Sequence, residues 1–333
     1  MAKVGTSTVT RVMRGDRNVT AQTREAVLAA VRETGYQVNS LARGLKQRRS
    51  FVIGHLLRSM IPNPFYVEVA RGVEDAAKAK RYTALTYNVQ GISEAERSGI
   101  GIFLNWQAEA LIFTTATDAA NVDFAVSRML PVVQVERPKS HAAPAILVDN
   151  SCGALAAMRH LTDLGHRDIA YIGGIPMGET SAYVERERIG AYRDALAAVG
   201  ASGRELFHAG PRYLVDAENS LRPGYTAMQE LLSSGRVPTA IQCVNDIVAA
   251  GALQALREAG LRVPEEVSVL GFDDTLGAYL SPPLTTVQLP AYQLGETAAT
   301  MAIEAIEAGQ PVKAPAPLRT KLILRRSLAA PRN

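Results

Sequence analysis

The sequence has no apolar stretch of the ~18 residues that a membrane-crossing helix needs, and its start lacks the basic-then-apolar order of a secretory signal. A soluble, cytoplasmic protein is therefore expected, with no membrane partner. Cysteine is scarce: Cys152 and Cys243 are the only two in 333 residues. They lie far apart without metal-ligand spacing, so neither a disulfide scaffold nor a metal site is expected, and both thiols are read as reduced. Aromatic residues make up 6%, with Trp106 the one tryptophan, and read as packing. Catalytic signatures are missing as well. There is no dinucleotide fingerprint, phosphate loop, nucleophile elbow or paired-histidine zinc motif; "YIGGIPMGE" has glycines after a strand but neither the spacing nor the acidic partner. His55, His141, His160, His166 and His208 are scattered, and His166 in "LGHRD" reads as a structural hydrogen-bonder. Cys152 has no evident base, and adjacent Asp273 and Asp274 point apart. No catalytic residue, metal or cofactor is expected, and the chain is not read as an enzyme.

What is present is unevenly spread. Residues 1–50 hold ten Lys or Arg against Asp16, Glu25 and Glu33, a surplus of +7 within a chain of +4, so the remainder is −3. A basic module on a mildly acidic body suits a polyanion at one end; a solvated charged face is the plainer alternative. From Phe51 onward, short apolar strands such as "FVIGHLL", "EALIFTT", "DIAYIGG" and "VSVLGFDD" alternate with amphipathic helices. That alternation indicates parallel sheets covered on both faces. A dozen strands exceed one open sheet, so two similar subdomains are expected, divided near Asp149 to Gly153. The late segment "PPLTTVQLPAYQLGETAATMAIEAI" is expected to cross back to the first.

Ligands of open α/β sheets bind beyond the carboxyl ends of the strands. The polar residues there are Glu136, Asp149, Asn245, Asp246, Asp273 and Asp274, with Arg188 on a following helix. Carboxylates, amides and an arginine suit a polyhydroxylated ligand that needs donors and acceptors together. Each Asp or Asn has a competing reading as a helix cap or turn former.

In the N-terminal module, "GTSTVTRVMRG" puts Val9, Val12 and Met13 on one helical face and leaves Thr6, Ser7, Thr10, Arg11 and Arg14 for the rest. Small hydroxyls can reach phosphates or bases in a major groove, and Arg11 can take a guanine's O6 and N7 together. "TAQTREAVLAAVRETGY" reads as a second helix, capped by Thr20 and stopped at Gly35. "QVNSLARGLKQRRS" follows as a basic linker that orders on DNA.

The motifs "STVTRVMRG", "VTAQTREAVLAAVRETGYQVNSLARGL", "IGHLLRSMIPNPFYVEVARGVEDAA", "LGHRDIAYIGG", "RERIGAYRDAL", "VPTAIQCVNDIVAAGALQALREAGLRVPEEVSVLGFDD" and "PPLTTVQLP" run in order through the chain. With them the sequence resembles the lactose-repressor (LacI/GalR) family of bacterial transcriptional regulators. The resemblance implies an α/β protein: a small all-α helix-turn-helix headpiece at 1–37, a hinge at 38–50 and a periplasmic-binding-protein-like core at 51–333. The core would comprise two doubly wound parallel-sheet subdomains, about 51–150 plus 282–310 and 151–281 plus 311–333. It further implies a homodimer on a pseudo-palindromic operator, controlled by a small polar, sugar-like effector in the cleft. Thr6, Ser7 and Arg11 match base-reading positions, and Gly5, Thr8, Thr10 and Tyr36 match backbone or packing positions. Asn39 to Lys46 match the hinge helix, with Leu45 as the minor-groove wedge beside Ala42. Phe65, Glu136, Asp149, Arg188, Asn245 and Asp273 match effector positions. Val38 stands where many hinges have proline, Glu136 replaces a frequent aspartate, and Leu289 stands where glutamine is common. Against the family pattern Met1 falls near the end of the first helix, so a shortened scaffold helix is expected. The end lacks a leucine-heptad tail, so a dimer is expected rather than a tetramer. Two alternatives remain at this point: a cytosolic sugar-binding protein with little DNA binding, and an enzyme on the same fold.

Overall fold

The computed structural model describes residues 2, 4–13, 16, 18–35, 49–59, 63–136, 138–173, 181–207 and 220–332. Two compact units divide the chain, residues 1–51 and 52–333. The first contains α1 (Thr6–Met13) and α2 (Ala21–Thr34). Thr20 caps α2 by accepting a hydrogen bond from the Thr23 amide at 3.3 Å, and Gly35 ends it at a φ of 61°, the left-handed turn that glycine makes without a Cβ clash. Val12 and Val27 are buried, whereas Met13, expected on the packed face, is exposed.

The larger unit alternates strand and helix: β1 (Val52–Leu57), α3 (Phe65–Ala79), β2 (Thr83–Asn88), α4 (Ser93–Asn105), β3 (Ala110–Thr114), α5 (Ala119–Ser127), β4 (Val132–Val135), β5 (Ala145–Ile146) and β6 (Val148–Asp149). It continues with α6 (Asn150–Asp163), β7 (Asp168–Gly173), α7 (Ser181–Ala198), β8 (Ser202–Phe207), α8 (Leu221–Ser233), β9 (Ala240–Cys243), α9 (Asp246–Glu258) and β10 (Ser268–Asp273). β11 (Thr285–Gln288), α10 (Ala291–Ala308), β12 (Leu318–Arg319) and β13 (Lys321–Ile323) complete it. The first sheet has the order β2-β1-β3-β4-β5, and the second β13-β11-β10-β9-β7-β8. Every pairing in them is parallel except β11 with β13.

Continuous apolar runs in β3 and β10 are buried along their whole length, as strands covered on both faces must be. Leu56, Ile100, Phe103, Leu111, Phe113 and Val122 form the core on one face of the first sheet. Ile172, Met228, Ile241, Val248, Leu256 and Val269 form the corresponding core of the second.

One expected boundary moves. β11 pairs with β10, so residues 285–288 belong to the second sheet rather than to a first-subdomain segment starting at 282. The chain crosses at Leu289 and Pro290, after which α10 packs on α3, β3 and β4. Beyond α10, β12 pairs with β6 in a two-stranded ribbon, Leu318 opposite Val148, and β13 joins the second sheet beside β11. Apolar alternation identifies a strand but not the sheet it joins.

Candidate functional site

Both sheets reverse their strand order beside their first strand, between β1 and β3 and between β7 and β9. Such a reversal splays the flanking connections and leaves a crevice at the carboxyl ends. Arg188, 4% exposed, occupies this region of the second subdomain. Its Nε and Nη2 donate to the Asn150 Oδ1 at 3.2 and 3.1 Å, its Nη1 to the Val244 carbonyl at 2.6 Å, and its Nη2 also to the Asp273 Oδ1 at 3.3 Å. The guanidinium carbon lies 3.7 Å from the centre of the Phe272 ring. These contacts hold a rigid donor fork in one orientation.

Asp273 ends β10 with a φ of 96°, a left-handed conformation that costs a non-glycine residue and persists only where its surroundings enforce it. The enforcement is visible: Oδ1 accepts from Arg188 and Oδ2 from the Asn63 Nδ2 at 3.0 Å. Asn63 in turn accepts from the Phe65 amide at 3.0 Å, which orders the start of α3 and holds Phe65, itself buried, two residues on. Asn245 caps α9 through a 2.9 Å bond from the Val248 amide and follows Val244, whose carbonyl Arg188 holds. Asp149 caps α6, accepting from Cys152 N at 2.9 Å. Both of these bonds are helix-cap bonds, as the cap reading of Asn245 and Asp149 expects.

Across the crevice, Glu136 follows β4 and Thr115 follows β3, both buried and both at a φ of 53°. A positive φ on a β-branched residue is unusual, and such strain gathers at ligand sites. A groove of about 600 Å³ opens beside Asp273, with Pro64, Glu68, Tyr279, Gln288 and Tyr292 among its walls. Arg188 does not line it, so Asp273 is the side chain common to groove and buried network.

Asp246 plays another part. Its Oδ2 accepts from the amides of Leu276 and Gly277 at 3.2 and 3.1 Å, and its Oδ1 from the Thr286 hydroxyl. Burial pushes its carboxyl up to about 7, with the nearby Asp273 and Asp274 charges acting the same way and the Thr286 bond opposing. Asp274 accepts from Arg325 at 2.7 Å and from Gln288 at 3.1 Å. Both Asp246 and Asp274 tie down loops, and Asp274 also lines the groove beside Asp273. His166 bonds Thr239 and the Ala329 carbonyl at 2.9 and 2.8 Å, the structural role read from its turn. Cys152 and Cys243 are both free.

The structure thus joins Arg188 directly to Asp273, and brings Phe65 and Asn245 to them through neighbouring residues. Asn63, Asn150 and Thr115 were missed by sequence reasoning. The Asx-Pro turn in "NPF" and the amide beside the Asp149 cap were the available signals, each masked by an ordinary turn or cap role.

In the smaller unit Ser7 and Arg11 are exposed on α1 and Thr8 is half-buried. The Arg11 Nε donates to the Asp16 Oδ2 at 2.8 Å, and that hydrogen bond holds the Asp16 carboxyl below its usual range. Arg24 donates to the Asp16 carbonyl at 2.6 Å, so one turn residue engages both helices. Asp16 is a further residue that sequence reasoning missed. Tyr36, Asn39, Ala42 and Leu45 lie outside the described residues, as do the side chains of Thr6 and Thr10.

Residues 1–39 match bacterial regulatory proteins of the lacI family, and residues 158–328 match the periplasmic binding protein-like domain. The chain is 34% identical over 333 residues to the transcriptional repressor PurR of Erwinia tasmaniensis, covering 98% of this chain and 94% of that one. It is 31% identical over 309 residues to the ribose operon repressor of Haemophilus influenzae, covering 92% and 90%. Among solved structures, the lac repressor dimer bound to operator and the anti-inducer ONPF aligns with a TM-score of 0.76 at 28% identity, over 99% of this chain and 97% of that chain. The regulator CelR in complex with cellobiose aligns at 0.69 and 27% identity, over 98% and 97%.

Proposed function

Since the chain belongs to the lacI family of bacterial regulatory proteins and is a DNA-binding transcriptional regulator, we propose that it is a repressor whose operator affinity is set by a small polar effector, a sugar or sugar derivative, bound between the two subdomains. The observation that carries this reading is the buried Arg188–Asp273 pair with Asn150 and Asn63. It sets a fixed donor beside a fixed acceptor, the pattern that adjacent hydroxyls satisfy. Phe65 supplies an apolar wall for a ring, and Glu136, Asp149 and Asn245 complete the polar lining. CelR, with its cellobiose, supports a sugar, while PurR supports the regulatory role without it.

Thr6, Ser7 and Arg11 read bases, Thr8, Thr10 and Tyr36 hold backbone or packing positions, and Asn39, Ala42 and Leu45 form the hinge. The protein binds a pseudo-palindromic operator as a homodimer, because two half-sites then share one two-fold axis; the lac repressor, a dimer bound to operator, supports this reading. Effector and operator are linked: a ligand that favours one subdomain arrangement shifts operator affinity by its differential affinity for the two.

A gel shift on DNA upstream of the protein's own gene tests this, with D-ribose, D-glucose, D-galactose and cellobiose as probes. A specific, salt-sensitive complex altered by one sugar is the expected result. A complex that no sugar alters but a purine base does would reject the sugar class. No specific complex on any genomic fragment would reject the regulator.

A further inference from the structure

We infer that Asn63 is a latch between the subdomains, a positioning residue whose amide holds the Asp273 carboxylate from the opposite side of the cleft, so that an effector taking Asp273 competes with a bond that sets subdomain closure. The inference rests on the reading of Asp273 as an effector ligand. Asn63 and Asp273 are 5% and 6% exposed, and they join the segment leading into α3, on the first sheet, to the end of β10, in the second. The direction of the amide is fixed, because the Asn63 Oδ1 already accepts from the Phe65 amide. Its Nδ2 is therefore the donor to Asp273, at 3.0 Å. The two carboxylate oxygens are divided between the halves of the protein, one held by Asn63 and the other by Arg188.

Behind the latch the structure is stiff. Asn63 leads into α3, and α3 packs backbone to backbone on α10: a Cβ on Gly72 would lie 2.1 Å from the Tyr292 carbonyl, and one on Gly295 2.0 Å from the Val69 carbonyl. α10 itself starts at the crossover, where the Leu289 amide donates to the Asp273 carbonyl at 3.3 Å. A change at Asp273 thus meets the first subdomain at two points of one rigid helix pair, which gives a discrete element for a ligand to bias. Asparagine suits the position because its amide offers an acceptor to its own turn from one atom and a donor across the gap from another.

Asn63→Asp separates the two roles. It keeps the acceptor for the Phe65 amide but replaces the donor with a like charge facing Asp273. The exchange Asn63→Asp with Asp273→Asn restores one donor and one acceptor in reverse. Spin labels at Ser127→Cys and Gln254→Cys, in a full-length Cys152→Ser background mixed with excess unlabelled chain, report the separation of the subdomains by pulsed EPR with no small molecule added. The expected result is a closed-to-open ratio about tenfold lower in Asn63→Asp, the size of one buried hydrogen bond to a charged group, and a return toward the parental distribution in the exchange variant. Asn63→Ser, which keeps a hydroxyl for the turn but cannot reach Asp273, should also open and serves if Asn63→Asp does not fold. Unchanged distances in the single variants, or an exchange variant that melts normally yet stays open, would overturn the latch. The same labelled protein titrated with the four sugars tests the effector reading separately. Distances that respond to Asn63→Asp but to no sugar keep the latch and reject that reading.

Discussion

The first sheet runs β2-β1-β3-β4-β5, and the second runs β8-β7-β9-β10-β11 before adding β13; the same winding is used twice, with both reversals at the carboxyl edges that flank the cleft. The likeness extends to the packing. On the first sheet Gly72 and Gly295 let α3 and α10 touch, and on the second Gly224 and Gly251 do the same for α8 and α9, where a Cβ would lie 1.8 Å from the Val248 carbonyl and 1.9 Å from the Leu221 carbonyl. Each subdomain also buries an acid that ties down a loop after a strand. Glu96 accepts from the Thr117 and Asp118 amides at 2.7 and 3.1 Å and from Asn121 at 3.0 Å, while Asp246 holds Leu276 and Gly277. The difference lies at the cleft. Asp246 has Asp273 and Asp274 close enough to raise its carboxyl further, whereas burial is the one raising influence on Glu96. A shared scaffold has been loaded with charge on one side, and that side holds the arginine that compensates it.

Removing that arginine should give the largest effect. Arg188→Ala leaves Asp273 and Asn150 without their main donor, and should lower unfolding stability by roughly 3 kcal/mol, the low end for breaking a buried pair because the cleft admits water. Arg193, paired with Glu205 at the surface, should cost far less on the same change, because an exposed ion pair is screened by solvent. Urea denaturation of both variants gives the comparison; equal losses would mean that the cleft network carries no special weight. Arg188→Ala should also abolish any effector response while leaving operator binding measurable by gel shift.

Next come the helix clasps. Gly72→Ala and Gly224→Ala each force a methyl against a backbone carbonyl that cannot turn aside, so each should cost ~1–3 kcal/mol by overpacking. Similar losses would confirm that the two subdomains rely equally on close helix contact. A loss confined to Gly224→Ala would show that α3 and α10 can separate, and would weaken the rigid transmission argued for the latch.

The subdomains should also differ in pH response. Asp246, pushed up to about 7 from 3.8, keeps its proton in the folded chain after the unfolded chain has released it. Its stabilising contribution is therefore full below ~pH 4 and is lost as the pH rises toward 7. His55, buried in the first sheet and bonded to Thr114 at 2.8 Å, is pushed down to about 3 by burial. Its contribution is full above the unfolded value of 6.5 and is lost as the pH falls toward 3. Stability curves of Asp246→Asn and His55→Gln against the parent should diverge with opposite slopes between ~pH 4 and 6.5. Parallel curves would remove either group as a source of pH dependence.

These contrasts also mark what the sequence makes legible. Alternating apolar runs reveal strands and helices because burial on both faces demands them, and the spaced motifs around Arg188, Asn245 and Asp273 single out the second side of the cleft. Asn63 escapes because an asparagine before proline already has a local reason to be there, and its long-range bond to Asp273 spans 210 positions. Asn150 escapes in the shadow of Asp149. The sheet membership of β11 escapes because a crossing strand and a central strand share one pattern. Likewise Asp16 looks like turn chemistry until Arg11 and Arg24 are seen to meet there.

The smallest predicted effect tests whether the glycines of one helix differ for physical reasons. In α4, a Cβ on Gly99 would lie 2.7 Å from the Leu56 Cδ2 and from the Tyr87 ring, whereas one on Gly101 would meet nothing within 4 Å. Gly101 sits inside a regular helix and gains nothing from lacking a side chain, so Gly101→Ala should stabilise the first subdomain by up to ~1 kcal/mol through helix propensity alone. Gly99→Ala should destabilise it, because Leu56 and Tyr87 must move to admit the methyl. Thermal melts of the two variants decide the matter by sign. If both raise the melting temperature, the first-sheet core has slack at β1 and β2, and the close-packed likeness between the subdomains ends at their helix clasps.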